Sequence, residues 1–307
     1  MIRNPSMKFS VVIPIFNEQD SICDLIQTLH RTFVSMQDSW EIICVDDGST
    51  DESATNIMNI MNIFRNILLI RLDRNYGQTQ AIMAGFDNAR GELIVTIDAD
   101  LQNSPFDIIG MLEIIDSGNY QIVSGWRKTR MDSQFRLLQS KMGNLLVRYI
   151  LNTNLRDSGC SLKIYRKNAI ENLYLVGDMH RFIPSVSMIS NGLIYEMPVS
   201  HSKRSIGKSK YGNGWKRTSH VIRDIYIIRS IKKEIIAIYL NILISLLVIA
   251  SLFMLKYNSS KIISTMGYAI ALIVIIDKIS MLFARTRYES QKRRGRKYNI
   301  ASKSGND

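Results

Sequence analysis

The chain has 307 residues and a formal net charge of +12, with 46% hydrophobic and 21% charged residues. This hydrophobic content excludes an intrinsically disordered chain, and the length allows one large domain or two of ordinary size. The three cysteines are widely spaced, which excludes a disulfide framework and a thiolate zinc site.

In chain order, short β-branched runs alternate with helical patterns between residues 9 and 124. The alternation predicts strands at 9–15, 41–45, 67–72, 93–97 and 122–124. Between them it predicts helices at 19–36, 51–64, 78–89 and 105–117. This order predicts an α/β fold with a mostly parallel sheet and helices on both faces. Ligands of such sheets bind at the carboxyl ends of the strands.

Polar motifs follow three of the predicted strands. The first strand leads into PIFNE, the second into DDGSTD and the fourth into DADLQ. Asp98 and Asp100 are separated by one residue, and such a pair can converge on a hard divalent cation that also binds diphosphate oxygens. The DDGSTD motif by itself fits a turn and a helix N-cap equally well.

Two long apolar runs lie in the C-terminal third of the chain. Residues 235–255 carry no charge and are long enough to cross a hydrocarbon core of about 30 Å. Residues 262–284 are interrupted only by Asp277 and Lys278, which are expected to pair or to lie near a membrane surface. The runs predict a transmembrane hairpin, and a pair of buried core helices is the alternative.

Basic residues are concentrated on both sides of these runs. Residues 203–233 carry +9 and residues 285–297 carry +6 of a total of +12, so the remainder of the chain is slightly negative. The positive-inside rule therefore predicts that both termini and the N-terminal domain are cytoplasmic, at the inner membrane. Because the basic segments flank the apolar runs, we do not expect a nucleic-acid partner.

These patterns predict four segments. The N-terminal α/β domain occupies 1–214, and an amphipathic helix at 215–234 is expected to lie at the membrane interface. The hairpin occupies 235–284, and a basic cytoplasmic tail follows at 285–307. An ordinary surface helix is the alternative for 215–234.

A series of motifs resembles, in order, the polyisoprenyl-phosphate glycosyltransferases of glycosyltransferase family 2. This family includes dolichol-phosphate mannosyltransferase, bactoprenol glucosyltransferase and the undecaprenyl-phosphate aminoarabinose transferases. The resemblance extends over residues 8–284 and is carried by PIFNE, VDDGSTD, NYGQTQAI, DADLQ, SGWRKTRMD, DSGC, GDMHRFIP and HSKRSIGKSKYG. It implies a Rossmann-like GT-A fold anchored in the membrane. It also implies inverting transfer of a sugar from a UDP- or GDP-sugar to undecaprenyl or dolichyl phosphate, which gives a lipid-linked monosaccharide for cell-envelope glycan or lipid modification.

The resemblance also implies roles for individual residues. Metal binding, with Mg or Mn as the ion, is implied for Asp98, Asp100 and Gln102. Nucleotide-sugar binding is implied for Pro14, Phe16, Glu18, Asp46, Asp47, Gln78, Arg204 and Lys210. Acceptor-phosphate binding is implied for Arg127, Arg136 and Ser140, and the predicted catalytic residues are Asp98, Asp100, Arg127 and Asp157.

For several of these residues the sequence leaves a structural role open. Asp46 organises a loop in the alternative interpretation, Asp157 caps a turn, and Arg136 and Ser140 lie on a helix surface. His180 is as consistent with a structural role as with a place in the site. A polysaccharide-extending family 2 enzyme and a non-catalytic nucleotide-sugar-binding membrane protein are the alternative functions, and homo-oligomerisation remains open.

Overall fold

The computed structural model describes residues 7–128, 144, 145, 147–187, 189–202, 214–232, 246 and 261–305. The chain divides into two compact units. The first comprises Met1–His220 together with Arg296–Asp307, and the second comprises Val221–Gly295. The candidate site residues that the structure describes all belong to the first unit.

One sheet forms the centre of the first unit. Its strands are β1 (Phe9–Ile15), β2 (Trp40–Asp46), β3 (Ile67–Leu72), β4 (Leu93–Thr96), β5 (Ile122–Trp126), β6 (Lys163–Arg166), β7 (Ile194–Pro198) and β8 (Ile300–Gly305). They lie in the order β7-β5-β6-β4-β1-β2-β3-β8. The pairs β1–β2, β1–β4, β2–β3 and β5–β7 are parallel, whereas β6 is antiparallel to β4 and β5, and β8 is antiparallel to β3. The predicted mostly parallel α/β sheet is therefore confirmed.

The helices whose bounds the structure describes follow in chain order. They are α1 (Ile22–Phe33), α2 (Ser53–Met61), α3 (Gln78–Asn88), α4 (Asp107–Ser117), α5 (Lys167–Ile170), α6 (Ile183–Val186), α7 (Gly214–Lys232) and α8 (Lys261–Arg293). Short 3₁₀ turns occupy Met179–Phe182 and Asn191–Leu193. The five predicted strands and the four helices predicted between them are all present.

The central strands form because their sequences are mostly apolar. Strand β1 has β2 on one side and β4 on the other, and Val11, Val12 and Ile13 are completely buried. A parallel strand covered on both faces requires such an unbroken apolar run, which is what the sequence provides. The polar residues therefore begin where the strands end, at one edge of the sheet.

Helix α1 is shorter at both ends than the predicted 19–36, and the residues before it bond to the neighbouring loop. The backbone N–H of Asn17 donates to Ser49 Oγ at 2.9 Å, and that of Glu18 donates to Ser53 Oγ at 2.8 Å. Asn17 also has a left-handed backbone with φ of 52°. These bonds join the loops after β1 and β2 at the carboxyl edge of the sheet.

Strands β6, β7 and β8 were not predicted. Strand β6 has four residues, and most of β7 and β8 is only partly buried or exposed, so none of the three shows the apolar run of the central strands. Strand β8 lies within the segment predicted as a basic cytoplasmic tail, and residues Arg296–Asp307 belong to the first unit.

The second unit contains most of α7 and all of α8. The Tyr226 hydroxyl donates to both the carbonyl and the carboxylate of Asp277, and Lys278 Nζ lies 2.6 Å from Asp277 Oδ2. The pairing of Asp277 with Lys278 is thus as predicted. Helix α7 coincides closely with the predicted helix at 215–234.

The membrane segments are described in part. Apart from one residue at 246, the first predicted span, 235–255, lies outside the described residues. The second, 262–284, lies within α8. Among the residues that the structure describes, no helix is both long enough and apolar enough to cross a membrane.

Candidate active site

Asp46 and Asp47 organise the loops that follow β2 and β3. Asp46, which is 1% exposed, accepts a hydrogen bond from the backbone of Ser49 and pairs with Arg71 at 3.4 Å. The Asp47 carboxylate accepts from the backbone N–H groups of Tyr76 at 2.7 Å and Gly77 at 2.8 Å. Asp47 thereby fixes the loop at 73–77 that leads into α3. The loop-organising role that the sequence left open for Asp46 is visible in these bonds.

Gly48 permits the close approach of these two loops. Its φ is +69°, and a Cβ at this position would lie 2.5 Å from the backbone carbon of Arg74. We therefore expect Gly48→Ala to lower the melting temperature by about 5–10 °C, because it combines backbone strain with a clash that only backbone movement relieves. Gly295 has a similar φ of +82° with open space around it, so Gly295→Ala is a matched control for strain alone. Equal melting temperatures for the two variants would contradict the close approach.

The protonation of Asp47 makes stability dependent on pH. Burial raises the pKa of Asp47 from 3.8 to about 6, against the opposing effect of the hydrogen bonds from Tyr76 and Gly77. The folded protein therefore binds this proton more tightly than the unfolded chain does. Stability contributed by Asp47 falls as the pH rises from about 4 to about 6, by up to about 3 kcal/mol in total, and is constant above that range.

Melting temperatures at several pH values test this effect. Relative to the wild type, Asp47→Asn should become steadily more stable between pH 4.5 and pH 6.5, because asparagine does not ionise. Asp20→Asn, which makes the same change in charge at an exposed position in the loop after β1, is the control. A pH-independent difference between Asp47→Asn and the wild type would show that Asp47 does not titrate in this range.

The carboxyl end of β4 carries Asp98 and Asp100. Gln78 Nε2, at the first position of α3, donates to Asp98 Oδ1 at 2.7 Å. Burial raises the pKa of Asp98, while the Ser161 hydroxyl and the nearby cations lower it; the cations are Arg127, Lys163 and Arg181. The structure therefore brings the predicted residues Gln78, Asp98 and Arg127 into one electrostatic environment.

The turn after Asp98 is held by local bonds. Asp100 Oδ1 accepts from the backbone of Gln102 at 3.2 Å, and Leu101 between them has a φ of 58°. Gln102 Nε2 lies 3.5 Å from the carbonyl oxygen of Ser202. Gln102 thus connects the DADLQ turn to the segment after β7. Its side-chain amide oxygen is the atom that could bind a metal ion.

Arg127 and Asp157 form a bidentate ion pair at the carboxyl end of β5. Nε of Arg127 lies 2.7 Å from Oδ2 of Asp157, and Nη2 lies 2.9 Å from Oδ1. The side chains are 14% and 4% exposed, respectively. Burial by itself lowers the pKa of Arg127. The hydrogen bonds and the negative charge of Asp157 outweigh the effect of burial, so the pKa of Arg127 is raised overall. Asp157 therefore orients a permanently charged guanidinium, whose charge also lowers the pKa of Asp98.

Lys163 and Glu196 support this pair and were not found from the sequence. Lys163 is 1% exposed, and its ammonium donates to the carbonyl oxygens of Ser158 and Cys160 in the DSGC turn. Glu196 accepts from the backbone of Asp157 at 2.9 Å and from the backbone of the preceding residue. The sequence signal that could have indicated Lys163 is its position within the apolar run SLKIY. A buried lysine without a partner is costly, so a lysine in such a run indicates a buried partner.

The remaining predicted residues lie near the same edge. Pro14 lies within β1, and Phe16 and Glu18 follow it, each partly buried. Glu18 Oε2 accepts from Ser21 Oγ at 3.1 Å. His180 Nδ1 lies 2.8 Å from the hydroxyl of Thr79 in the first turn of α3. This hydrogen bond fits the structural role that the sequence left open for His180.

Part of the predicted site lies outside the described residues. This applies to the acceptor residues Arg136 and Ser140 and to the basic-loop residues Arg204 and Lys210. Within the described part of the chain, no group of three or more His, Cys, Asp and Glu side chains is placed to hold a metal ion. Asp98 and Asp100 form a two-carboxylate set, and carboxylate oxygen is the donor type that Mg²⁺ and Mn²⁺ prefer.

Comparison with known proteins assigns the family. Residues 10–174 match the model of glycosyl transferase family 2. The chain belongs to this family. The matched range includes β1 to β6 and the described residues Asp98, Arg127 and Asp157. The resemblance identified from the sequence motifs is therefore confirmed.

Two relatives share substantial sequence with this family 2 chain. One is dodecaprenyl-phosphate galacturonate synthase from Rhizobium johnstonii, 43% identical over 72% of this chain and 66% of that protein. Another is undecaprenyl-phosphate 4-deoxy-4-formamido-L-arabinose transferase from Salmonella choleraesuis, 40% identical over 67% of this chain and 63% of that protein. The match thus spans slightly less than two thirds of each relative.

Solved structures support the fold. Glucosyl-3-phosphoglycerate synthase from Mycobacterium tuberculosis, in complex with Mn²⁺, UDP and glucosyl-3-phosphoglycerate, aligns with a TM-score of 0.54. The alignment covers 72% of this chain and 78% of that chain at 16% identity. At this identity the likeness concerns the fold, and it confirms the GT-A-like arrangement of the predicted α/β domain.

Proposed function

We propose that this family 2 chain transfers a sugar from a nucleotide diphosphate sugar to the phosphate of a polyisoprenyl lipid. The observation that carries the proposal is the Arg127–Asp157 pair, in which Arg127 is close enough to Asp98 to lower its pKa. It gives one site both an oriented cation for a phosphate nucleophile and a carboxylate for the donor side. The two relatives act on dodecaprenyl and undecaprenyl phosphate by name, which supports the same acceptor class here.

The acceptor needs positioning more than it needs a general base. A phosphate monoester has a second pKa of about 6 and is largely ionised at neutral pH. Since Asp157 engages Nε and Nη2 of Arg127, we assign Nη1 to an oxygen of the acceptor phosphate. Arg136 and Ser140 are proposed to complete this phosphate site. In-line attack on the sugar then gives inversion in a single displacement.

The donor is proposed to bind at the carboxyl ends of β1, β2 and β4. Pro14, Phe16 and Glu18 would contact the nucleotide together with the loops that Asp46 and Asp47 fix, while Gln78 orients Asp98. Arg204 and Lys210 are proposed to contact the diphosphate. Asp98, Asp100 and Gln102 would hold a divalent ion, Mg or Mn. When bound, this ion neutralises charge on the leaving diphosphate.

A membrane location fits this acceptor. We propose that 235–255 and 262–284 form a hairpin in the inner membrane, with 215–234 at the interface and the catalytic domain in the cytoplasm. The support is the basic charge on both flanks of the apolar runs. A lipid headgroup stays at the membrane surface, so an enzyme anchored there meets its acceptor without extracting it.

A donor panel tests the proposed reaction. Full-length protein in lipid nanodiscs would receive undecaprenyl phosphate, Mg²⁺ or Mn²⁺, and one radiolabelled UDP- or GDP-sugar at a time. We expect one donor to label the organic-extractable lipid, and undecaprenol, which lacks the phosphate, to accept no label. Binding of a donor without transfer would instead favour the non-catalytic nucleotide-sugar-binding protein.

A further inference from the structure

We propose that residues 296–305, called the clasp below, position the donor side of the active site. This inference rests on the proposed function, since it assigns the loop at 73–77 and Gln78 to the nucleotide-sugar site. The clasp comprises the residues directly after the second unit, including β8. It contacts the β3–α3 segment at two places, called anchors, one on each side of the loop at 73–77, which is the donor-site loop.

The first anchor is at the carboxyl end of α3. Arg296 binds Asp87 through two hydrogen bonds, from Nε at 2.7 Å and from Nη2 at 2.6 Å. Tyr298 donates its hydroxyl to the same carboxylate at 2.5 Å, and Arg296 Nη1 donates to the carbonyl of Leu173 at 2.8 Å. Lys303 Nζ also reaches Asn88 Oδ1 at 2.6 Å. Both Arg296 and Asp87 are about 30% exposed, so this anchor is partly shielded from water.

The second anchor is at the start of the donor-site loop. Strand β8 pairs antiparallel with β3, from Leu68 opposite Gly305 to Leu72 opposite Ile300. Where β3 ends, the backbone N–H of Asp73 donates to the carbonyl of Asn299 at 3.1 Å. The clasp therefore pairs along the outer side of β3, and its contacts continue to the first residue of the loop.

The segment between the anchors is hydrogen-bonded to two aspartates of the proposed donor site. The N–H groups of Tyr76 and Gly77 donate to Asp47, and Gln78 donates to Asp98. Helix α3 has 11 residues, so it is a rigid rod of about 16 Å. Fixing Asp87 at one end of this rod therefore restrains Gln78 at the other end.

A strand that only covered the sheet edge would not need the first anchor. Asp87 lies in the last turn of α3, where a carboxylate is unfavourable against the negative end of the helix dipole. Arg296 offsets this charge with a bidentate geometry, and Tyr298 adds a third bond to the same group. These bonds lie beyond the ladder of β3 and β8, and they make the clasp a positioning element for α3.

Charge reversal with rescue tests the clasp in the full-length protein in nanodiscs. The variants are Arg296→Asp, Asp87→Arg and the double variant that exchanges the two charges, with Tyr298→Phe as a milder change. Arg294→Asp is the matched control, because Arg294 is exposed and the change in net charge is the same. Melting temperatures identify any variant that fails to fold, and Tyr298→Phe and the double variant then decide the test.

The first readout is amide hydrogen exchange in peptides that contain the loop at 73–77. We expect about tenfold faster exchange in Arg296→Asp, wild-type exchange in Arg294→Asp and slowed exchange in the double variant. Exchange in α4 should not change. Wild-type exchange of the loop in Arg296→Asp, or in Tyr298→Phe if the former does not fold, would overturn the proposal.

The second readout separates the donor from the acceptor. We expect the KM for the donor to rise about tenfold in Arg296→Asp, while the KM for undecaprenyl phosphate stays constant. Equal rises in both values would indicate general loosening of the fold and would overturn the positioning role. If the wild type transfers no sugar, the proposed function fails, whereas the hydrogen-exchange comparison still decides whether the clasp holds the loop.

Discussion

Replacing Asp98 with asparagine should lower the rate of sugar transfer by about a thousandfold or more. Asparagine keeps the size of the side chain and an oxygen that accepts from Gln78 Nε2, so the local packing is preserved. What it removes is the negative charge that is proposed to bind the metal ion and that raises the pKa of Arg127. Loss of one electrostatic group of this kind commonly costs about a hundred- to a thousandfold in rate, and impaired metal binding adds to it. Asp100→Asn should act in the same direction.

Steady-state transfer at saturating donor, combined with Mn²⁺-dependent binding of the nucleoside diphosphate of the active donor, measures this effect. Glu113→Gln on α4 is the control, because Glu113 is exposed and lies outside the site. We expect Asp98→Asn to lose this metal-dependent binding while its melting temperature stays close to that of the wild type. An Asp98→Asn enzyme with more than a tenth of the wild-type rate would exclude Asp98 from the catalytic residues.

Replacing Arg127 should abolish transfer while donor binding persists. The guanidinium is proposed to hold the acceptor phosphate, so we expect Arg127→Ala to lower kcat/KM for the lipid by about a hundred- to a thousandfold. Removal of Arg127 also leaves the buried Asp157 carboxylate without its bidentate partner, at a cost of about 3–5 kcal/mol in stability. The rate and the stability must therefore be measured together.

Two further variants separate these effects. Arg127→Lys keeps the charge but loses the fork that binds Asp157, and Asp157→Asn keeps Arg127 but weakens its orientation. Both should fold and both should transfer sugar more slowly at unchanged donor KM. Arg31→Ala, at an exposed position on α1, is the control. Normal transfer by Arg127→Ala would show that Arg127 does not bind the acceptor.

The central part of the fold was predictable from residue patterns alone. Strands β1, β2 and β4 are almost entirely buried, so each requires a mostly apolar run, and β3 is apolar except at the exposed Arg71. The helices between these strands show a helical periodicity of apolar residues instead. The carboxyl edge then follows from the topology. Asp98 was expected beside the loops after β1 and β2, and the sheet order confirms that β4, β1 and β2 are neighbours.

The partners of the site residues were not predictable, because they are distant in sequence. Arg127 and Asp157 are 30 residues apart, and Glu196 binds the backbone of Asp157 from 39 residues further along. The local periodicity of apolar residues carries no information about such a pair. The same reason applies to Arg296 and Asp87, which are 209 residues apart in a region whose composition indicated only a basic tail.

The structure adds contacts for the first two aspartates of the DDGSTD motif. The sequence placed Asp46 and Asp47 in a nucleotide pocket or, alternatively, in a turn. In the fold, Asp47 bonds the backbone of the 73–77 loop, and Asp46 bonds its own loop and Arg71. Both residues therefore hold the loops at this end of the sheet, and their proposed effect on a nucleotide includes the shape of those loops.

The mass of the lipid product tests the central proposal most directly. Undecaprenyl phosphate would be incubated with the full-length protein, the active donor and Mn²⁺, and the extracted lipid would be analysed by mass spectrometry beside a reaction of Asp98→Asn. We predict one new species that carries a single sugar on the lipid phosphate, formed by the wild type and absent with Asp98→Asn. A series of products that carry several sugars, or sugar products found only in the water-soluble fraction, would contradict the proposal and favour an enzyme that extends a polysaccharide.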